Sequence, residues 1–161
     1  MHIVVINPNT TASMTRLIGE SAEAVAATGT VITAVNPDMG PASIESHYDE
    51  ALSVPGLLAE IARAQADEPA ADGFVIACFG DPGLDAAREL ADGPVVGIAE
   101  AAMHAASFLG RGFSVVTTLG RTPGPRARAR GSRRPARCGR SGSSRSARRG
   151  PRPGPPSAPV S

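Results

Sequence analysis

The chain has 161 residues, the length of one ordinary α/β domain, and its 16 basic and 15 acidic side chains leave a formal charge of +1. That near-neutrality conceals a division: all fifteen acidic residues lie between Glu20 and Glu100, while twelve of the sixteen basic residues, every one an arginine, follow residue 120, so the first 120 residues carry −11 and the last 41 carry +12. No apolar run approaches the roughly 20 residues of a membrane span, no charged leader precedes an apolar signal core, and the two cysteines, Cys78 and Cys138, supply neither a disulfide framework nor zinc-ligand spacing; a reducing, cytoplasmic setting without membrane contact is expected.

In chain order, residues 2–6 read as a strand broken by Asn7-Pro8-Asn9-Thr10, and residues 11–26 as a helix with Met14, Leu17, Ile18, Ala22 and Val25 at helical spacing. Residues 30–35 form a second strand, ended by Asn36-Pro37. A Gly/Pro/Ser loop leads into residues 47–66, one or two helices with an interruption expected at Pro55-Gly56. Residues 74–78 form a third strand, 82–91 a helix, 94–98 a fourth strand, 99–109 an alanine-rich helix and 113–117 a fifth strand. Strict alternation of strand and helix predicts an α/β fold with a parallel, three-layer α/β/α sheet. From Arg121 onward there is no Leu, Ile, Met or aromatic residue, so residues 123–161, an Arg/Pro/Gly/Ser-rich tail, are expected to be disordered.

Cys78 stands where chemistry is most often placed in such a fold. It ends the apolar run Phe74-Val75-Ile76-Ala77 and precedes Phe79-Gly80-Asp81-Pro82-Gly83. Ligand crevices of open α/β sheets lie at C-terminal strand ends. Asp81-Pro82 reads as N-cap and first residue of the next helix, and a thiol facing a helix N-terminus is expected to ionise more readily than an ordinary cysteine. A small buried core cysteine is the alternative reading of the same position. The strand ends Asn7-Pro8-Asn9-Thr10 and Thr117-Thr118 are likewise polar, and 113–117 echoes 3–7 as the start of a second copy of the first half. Asn7 and Asn9 also suit plain turn formation. Asp81 and Asp85 suit a helix N-terminus, His47 and His104 a surface, and Glu45, Asp49 and Glu50 a solvated loop. No metal site is read from these residues.

Taken together, Asn7-Pro8-Asn9-Thr10, the Ser43-Ile44-Glu45-Ser46 loop, Cys78-Phe79-Gly80-Asp81-Pro82-Gly83 and Thr117-Thr118 resemble the hydantoin racemase branch of the Asp/Glu racemase superfamily, over about residues 2–122. The resemblance implies a cofactor-free isomerase of small molecules such as 5-substituted hydantoins or allantoin, in which two cysteines face each other across the reacting carbon. One removes a proton and the other returns one, because inversion needs a base and an acid on opposite faces. It gives Cys78 the role of one of these cysteines. It also gives Asn7, Pro8, Asn9, Thr10, Ser43, Phe79, Gly80, Thr117 and Thr118 roles in holding the substrate and its developing enolate.

On this reading residues 1–98 are the first racemase-like domain, 99–122 the start of a second, pseudo-symmetric and truncated one, and 123–161 a foreign tail. The resemblance stops where its second cysteine is still to come. Cys78 follows Asn7 by 71 positions, so a counterpart after Thr117 falls beyond the end of the chain, and Cys138, 21 positions after Thr117, is out of place for it. The tail has the composition of a G+C-rich gene read out of frame, and the chain is expected to be inactive in this form. Other superfamily chemistries, maleate isomerisation or amino-acid racemisation, remain alternatives, as does assembly into a homo-oligomer. An arginine-tailed nucleic-acid binder is disfavoured because no aromatic residues interleave with the arginines.

Overall fold

The computed structural model describes residues 1–116. The elements are β1 (His2–Ile6), α1 (Ala12–Glu23), β2 (Val31–Val35), α2 (His47–Ala66), β3 (Gly73–Ile76), α3 (Leu84–Leu90), β4 (Val95–Gly97) and α4 (Ile98–Leu109). The four strands form one parallel sheet in the order β2-β1-β3-β4. The expected α/β class and parallel sheet are therefore found, with β1 and β3 at the centre.

Alternation along the strands sorts side chains to two faces. Val4, Ile6, Phe74, Ile76 and Val95 meet Leu57, Ile61 and Ala64 of α2 and Ala87 of α3 in a single buried cluster. Five of these, Ile6, Leu57, Ile61, Ile76 and Ala87, have no exposed surface; each large one contributes about 1.5–3 kcal/mol on burial. The opposite face carries Ile3, Val5, Ile32, Val75 and Ala77 and is partly covered by α1, leaving an apolar groove of about 530 Å³ lined also by Met14, Leu17 and Val25.

Three elements depart from their sequence expectation. Helix α2 runs unbroken through Pro55-Gly56. Pro55 is exposed, and Gly56 is buried where a Cβ would lie 2.7 Å from the Met39 carbonyl and 2.8 Å from the Pro37 ring, so the pair lets the helix pack tightly on the 37–39 loop rather than ending it. Helix α3 begins two residues later than expected, after Gly83 with φ 67°. Residues 113–116 form no strand. A strand exists only against a neighbour, and among the described residues the sheet pairs four strands, none of them with this segment. The remainder of that segment and the tail at 123–161 lie outside the described residues. Among the described residues no helix is long and apolar enough to cross a membrane.

Candidate active site

The C-terminal ends of β1, β2 and β3 converge. Ile6 pairs with Ile76 and with Val35, and the pairing continues for one step through Asn7 N–H to the Val35 carbonyl (2.9 Å) and Ala77 N–H to the Ile6 carbonyl (2.8 Å). Adjacent strands lie about 4.8 Å apart, so Asn7 and the Ala77-Cys78 step are backbone neighbours at one edge of the sheet.

Asn7, Pro8 and Asn9 are all buried. The Asn7 amide donates to Asn9 Oδ1 (2.8 Å) and Thr15 Oγ1 (3.0 Å), Asn9 Oδ1 also accepts the Thr11 N–H (2.9 Å), and Thr15 Oγ1 donates to Asn36 Oδ1 (2.7 Å). This network ties the ends of β1 and β2 to the first turn of α1. Thr15 and Asn36 belong to it without having been singled out in the sequence. The signal was the repetition of Asn-Pro after two successive strands, Asn7-Pro8 and Asn36-Pro37. Thr10, half-buried, donates its N–H to the Pro41 carbonyl (3.0 Å), and Thr11 Oγ1 donates to the Ala42 carbonyl (2.7 Å). These bonds draw the loop that bears Ser43 onto the same edge. Ser43 itself is exposed and donates to Glu45 Oε1 (3.0 Å).

Cys78 is a free, half-buried cysteine. Its carbonyl accepts the Gly80 N–H (2.9 Å) and the Asp81 N–H (3.0 Å), which folds Cys78-Phe79-Gly80-Asp81 into a tight turn with Phe79 44% exposed above it. The expected activation of the thiol is not found. Burial first, then the carboxylates of Asp81 and Glu50, push the Cys78 thiol up to about 11. The reason lies in the turn. Asp81 does not cap the helix that follows it, since the N-cap of α3 is Gly83. Asp81 stands at φ 48° and directs its carboxylate to the N-terminus of α4, accepting from the N–H of Ala99 (3.0 Å) and of Glu100 (2.7 Å). An anion therefore stands near the thiol where an open helix N-terminus was expected.

The first turn of α2 flanks this edge. Ser46 is its N-cap, accepting the Asp49 N–H (3.2 Å) and donating to Asp49 Oδ2 (2.7 Å). The Ser46 hydroxyl and the Glu45 N–H hold the Asp49 carboxyl below its ordinary range. Glu50 pairs with His47 Nδ1 at 3.2 Å. Its field at Cys78 was not legible in the sequence, because α2 and the Cys78 turn meet only in three dimensions. His104 is exposed on α4. Thr117 and Thr118 lie outside the described residues. Among the described residues no group of three or more His, Cys, Asp or Glu side chains is placed to hold a metal ion. The 530 Å³ groove includes Ala77 but not Cys78, and Ser21 is its one polar side chain among the lining residues, so it is not the place for a polar ring.

The sequence pattern of a family described as Asp/Glu/Hydantoin racemase matches residues 3–140. A hydantoin racemase of Pseudomonas sp. (strain NS671) is 58% identical over 121 residues, covering 75% of this chain and 48% of the relative, and one of Paenarthrobacter aurescens is 53% identical over 121 residues, covering 75% and 51%. The solved structure of allantoin racemase from Klebsiella pneumoniae superposes with a TM-score of 0.72 at 60% identity, over 76% of this chain and 49% of that one. The chain thus spans about half the length of the relatives it matches.

Proposed function

The chain belongs to the Asp/Glu/hydantoin racemase family, and on that premise we propose that it is the first half of a cofactor-independent racemase acting on 5-substituted hydantoins or allantoin, with Cys78 as one of two acid–base groups. The observation that carries this reading is the position of Cys78 in a tight turn at the C-terminal end of β3, next to the end of β1 from which the Asn7–Thr10 turn departs.

A hydantoin C5 proton is acidified by the flanking carbonyl and nitrogen, so an acid and a base suffice if they stand on opposite faces of the ring. Cys78, protonated at neutral pH in this chain, is suited to give a proton. The base that takes one would come from the second half, of which residues 99–122 are the beginning. Thr10, Ser43 and the Phe79-Gly80 edge would touch the ring, and Asn7, Pro8 and Asn9 would fix the turn behind them. Gly80 N–H is already engaged by the Cys78 carbonyl. Phe79 N–H, with Thr117 and Thr118, would then meet the developing enolate. A reducing cytoplasm suits a free thiol in this role.

The test is a version of the gene in which the reading frame after codon 120 is restored. It should racemise an enantiopure 5-substituted hydantoin or allantoin, and Cys78→Ser in that background should lower kcat by about 10²–10⁴-fold. Retention of full activity by the Cys78→Ser version would sink the proposal. Turnover of maleate or a free amino acid in preference to either ring would move the chain to another branch of the family.

A further inference from the structure

We propose that Asp81 is a positioning residue that latches the Cys78 turn to the N-terminus of α4. The inference rests on Cys78 being the reactive group of the proposed reaction. Three observations carry it. The Asp81 carboxylate takes two backbone N–H groups of α4, from Ala99 at 3.0 Å and Glu100 at 2.7 Å, across 18 and 19 positions of sequence. Asp81 is the one non-glycine residue at positive φ among the described residues, a conformation uncommon outside glycine and adopted more readily by Asp and Asn than by other side chains. Gly97, immediately before α4, lies so close that any Cβ there would fall on the carboxylate. An acceptor held at positive φ, two charge-assisted bonds and a residue with no side chain at the point of contact all serve one junction.

That junction joins the two strand ends beside the site. The Asp81 N–H is bonded to the Cys78 carbonyl, so the residue that grips α4 through its side chain also closes the thiol's own turn through its backbone. The Asp81 latch sets where the sulfur stands, and its charge adds to that of Glu50 on α2 in keeping the thiol protonated. Glu100 is held from its other end by Arg88 of α3 at 2.6 Å, so the cap is braced on both sides.

The experiment follows alkylation of Cys78 by iodoacetamide against pH, read on the Cys78 peptide by mass spectrometry, in the full chain and in Asp81→Asn and Asp81→Ala. Asn tolerates positive φ and keeps one of the two acceptor oxygens while its NH2 replaces the other, so Asp81→Asn should move the pH midpoint down and raise the limiting rate at high pH by less than Asp81→Ala does. Asp81→Ala should raise the limiting rate about tenfold or more, because the turn opens. If Asp81→Ala does not fold, Asp81→Asn decides alone. A profile unchanged in both variants, even with lowered stability, would make Asp81 a structural cap only and overturn the proposal, as would an Asn variant whose limiting rate rises as far as that of Asp81→Ala. No substrate enters the measurement, so its outcome is separate from whether the restored protein racemises hydantoins.

Discussion

Gly97→Ala isolates the latch between the Cys78 turn and α4. Gly97 has φ −88° and ψ 135°, a backbone conformation open to any residue. Alanine there should by itself stabilise the chain by about 0.4–1 kcal/mol through the unfolded state. Against that, its Cβ would land on the Asp81 carboxylate. Overpacking of this kind costs about 1–3 kcal/mol, and the displaced carboxylate loosens two hydrogen bonds to α4, each worth about 1–2 kcal/mol at a partly exposed site. The net expectation is a loss of about 2 kcal/mol, which lowers the urea midpoint by about 1–2 M for a domain of this size. In an Asp81→Ala background the obstruction is gone, and Gly97→Ala should become neutral or stabilising by up to about 1 kcal/mol. The double-mutant cycle should therefore show a coupling of about 2–3 kcal/mol. Urea unfolding followed by far-ultraviolet circular dichroism measures all four chains. An equal loss from Gly97→Ala in both backgrounds would show that the glycine is needed for some other reason and refute the reasoning.

Four further outcomes follow from the same geometry. A thiol held at about 11 in the folded chain and near 9 when unfolded binds more protons in the native state between those values, so stability should fall as pH rises from 9 to 11, by on the order of 2 kcal/mol. The chain has no lysine to obscure this limb, and Cys78→Ala should flatten it in pH-dependent urea titrations. At pH 7 the same shift should make Cys78 react with iodoacetamide about 20-fold more slowly than free cysteine, the loss of thiolate being partly offset by its greater nucleophilicity; reaction faster than free cysteine would revive the activated thiolate. Asn7→Ala should cost about 1–3 kcal/mol, because it strands the buried partners Asn9 and Thr15, and a change below about 0.5 kcal/mol would mean that the network is not holding the turn. Ser46→Ala should lower Tm at neutral pH, and the difference from the parent should shrink as pH falls below the carboxylate range, since the depressed Asp49 carboxyl stabilises only while ionised.

Much of the sheet was legible because its signals are local. Four short apolar runs bounded by Asn-Pro, Gly or Pro became β1 to β4 within a residue or two of their expected ends. The convergence of Asn7 and Cys78 followed from strand ends alone. What could not be read from the chain depends on partners distant in sequence. Asp81-Pro82 carries a correct capping signal, but the helix capped by Asp81 begins at Ile98, not at the next residue. Pro55-Gly56 has the composition of a break, yet the loop at 37–39 turns it into a packing contact. The thiol's environment failed for the same reason: its position was set by the strand, while its ionisation was set by burial, by Asp81 turned toward α4 and by Glu50 arriving from α2.

The central claim is that Cys78 is one side of a two-sided proton transfer whose other side lies in the second half of the fold. Its most direct test incubates this chain with an enantiopure 5-substituted hydantoin in deuterated buffer while optical rotation and the C5 proton signal are followed together. The account predicts that rotation decays no faster than in buffer alone. It predicts that any loss of the C5 proton is slow, grows with pH as the thiolate forms, and disappears in Cys78→Ser. Inversion of the substrate by this chain as fast as by a full-length hydantoin racemase would contradict it, because a single half would then be supplying both the base and the acid.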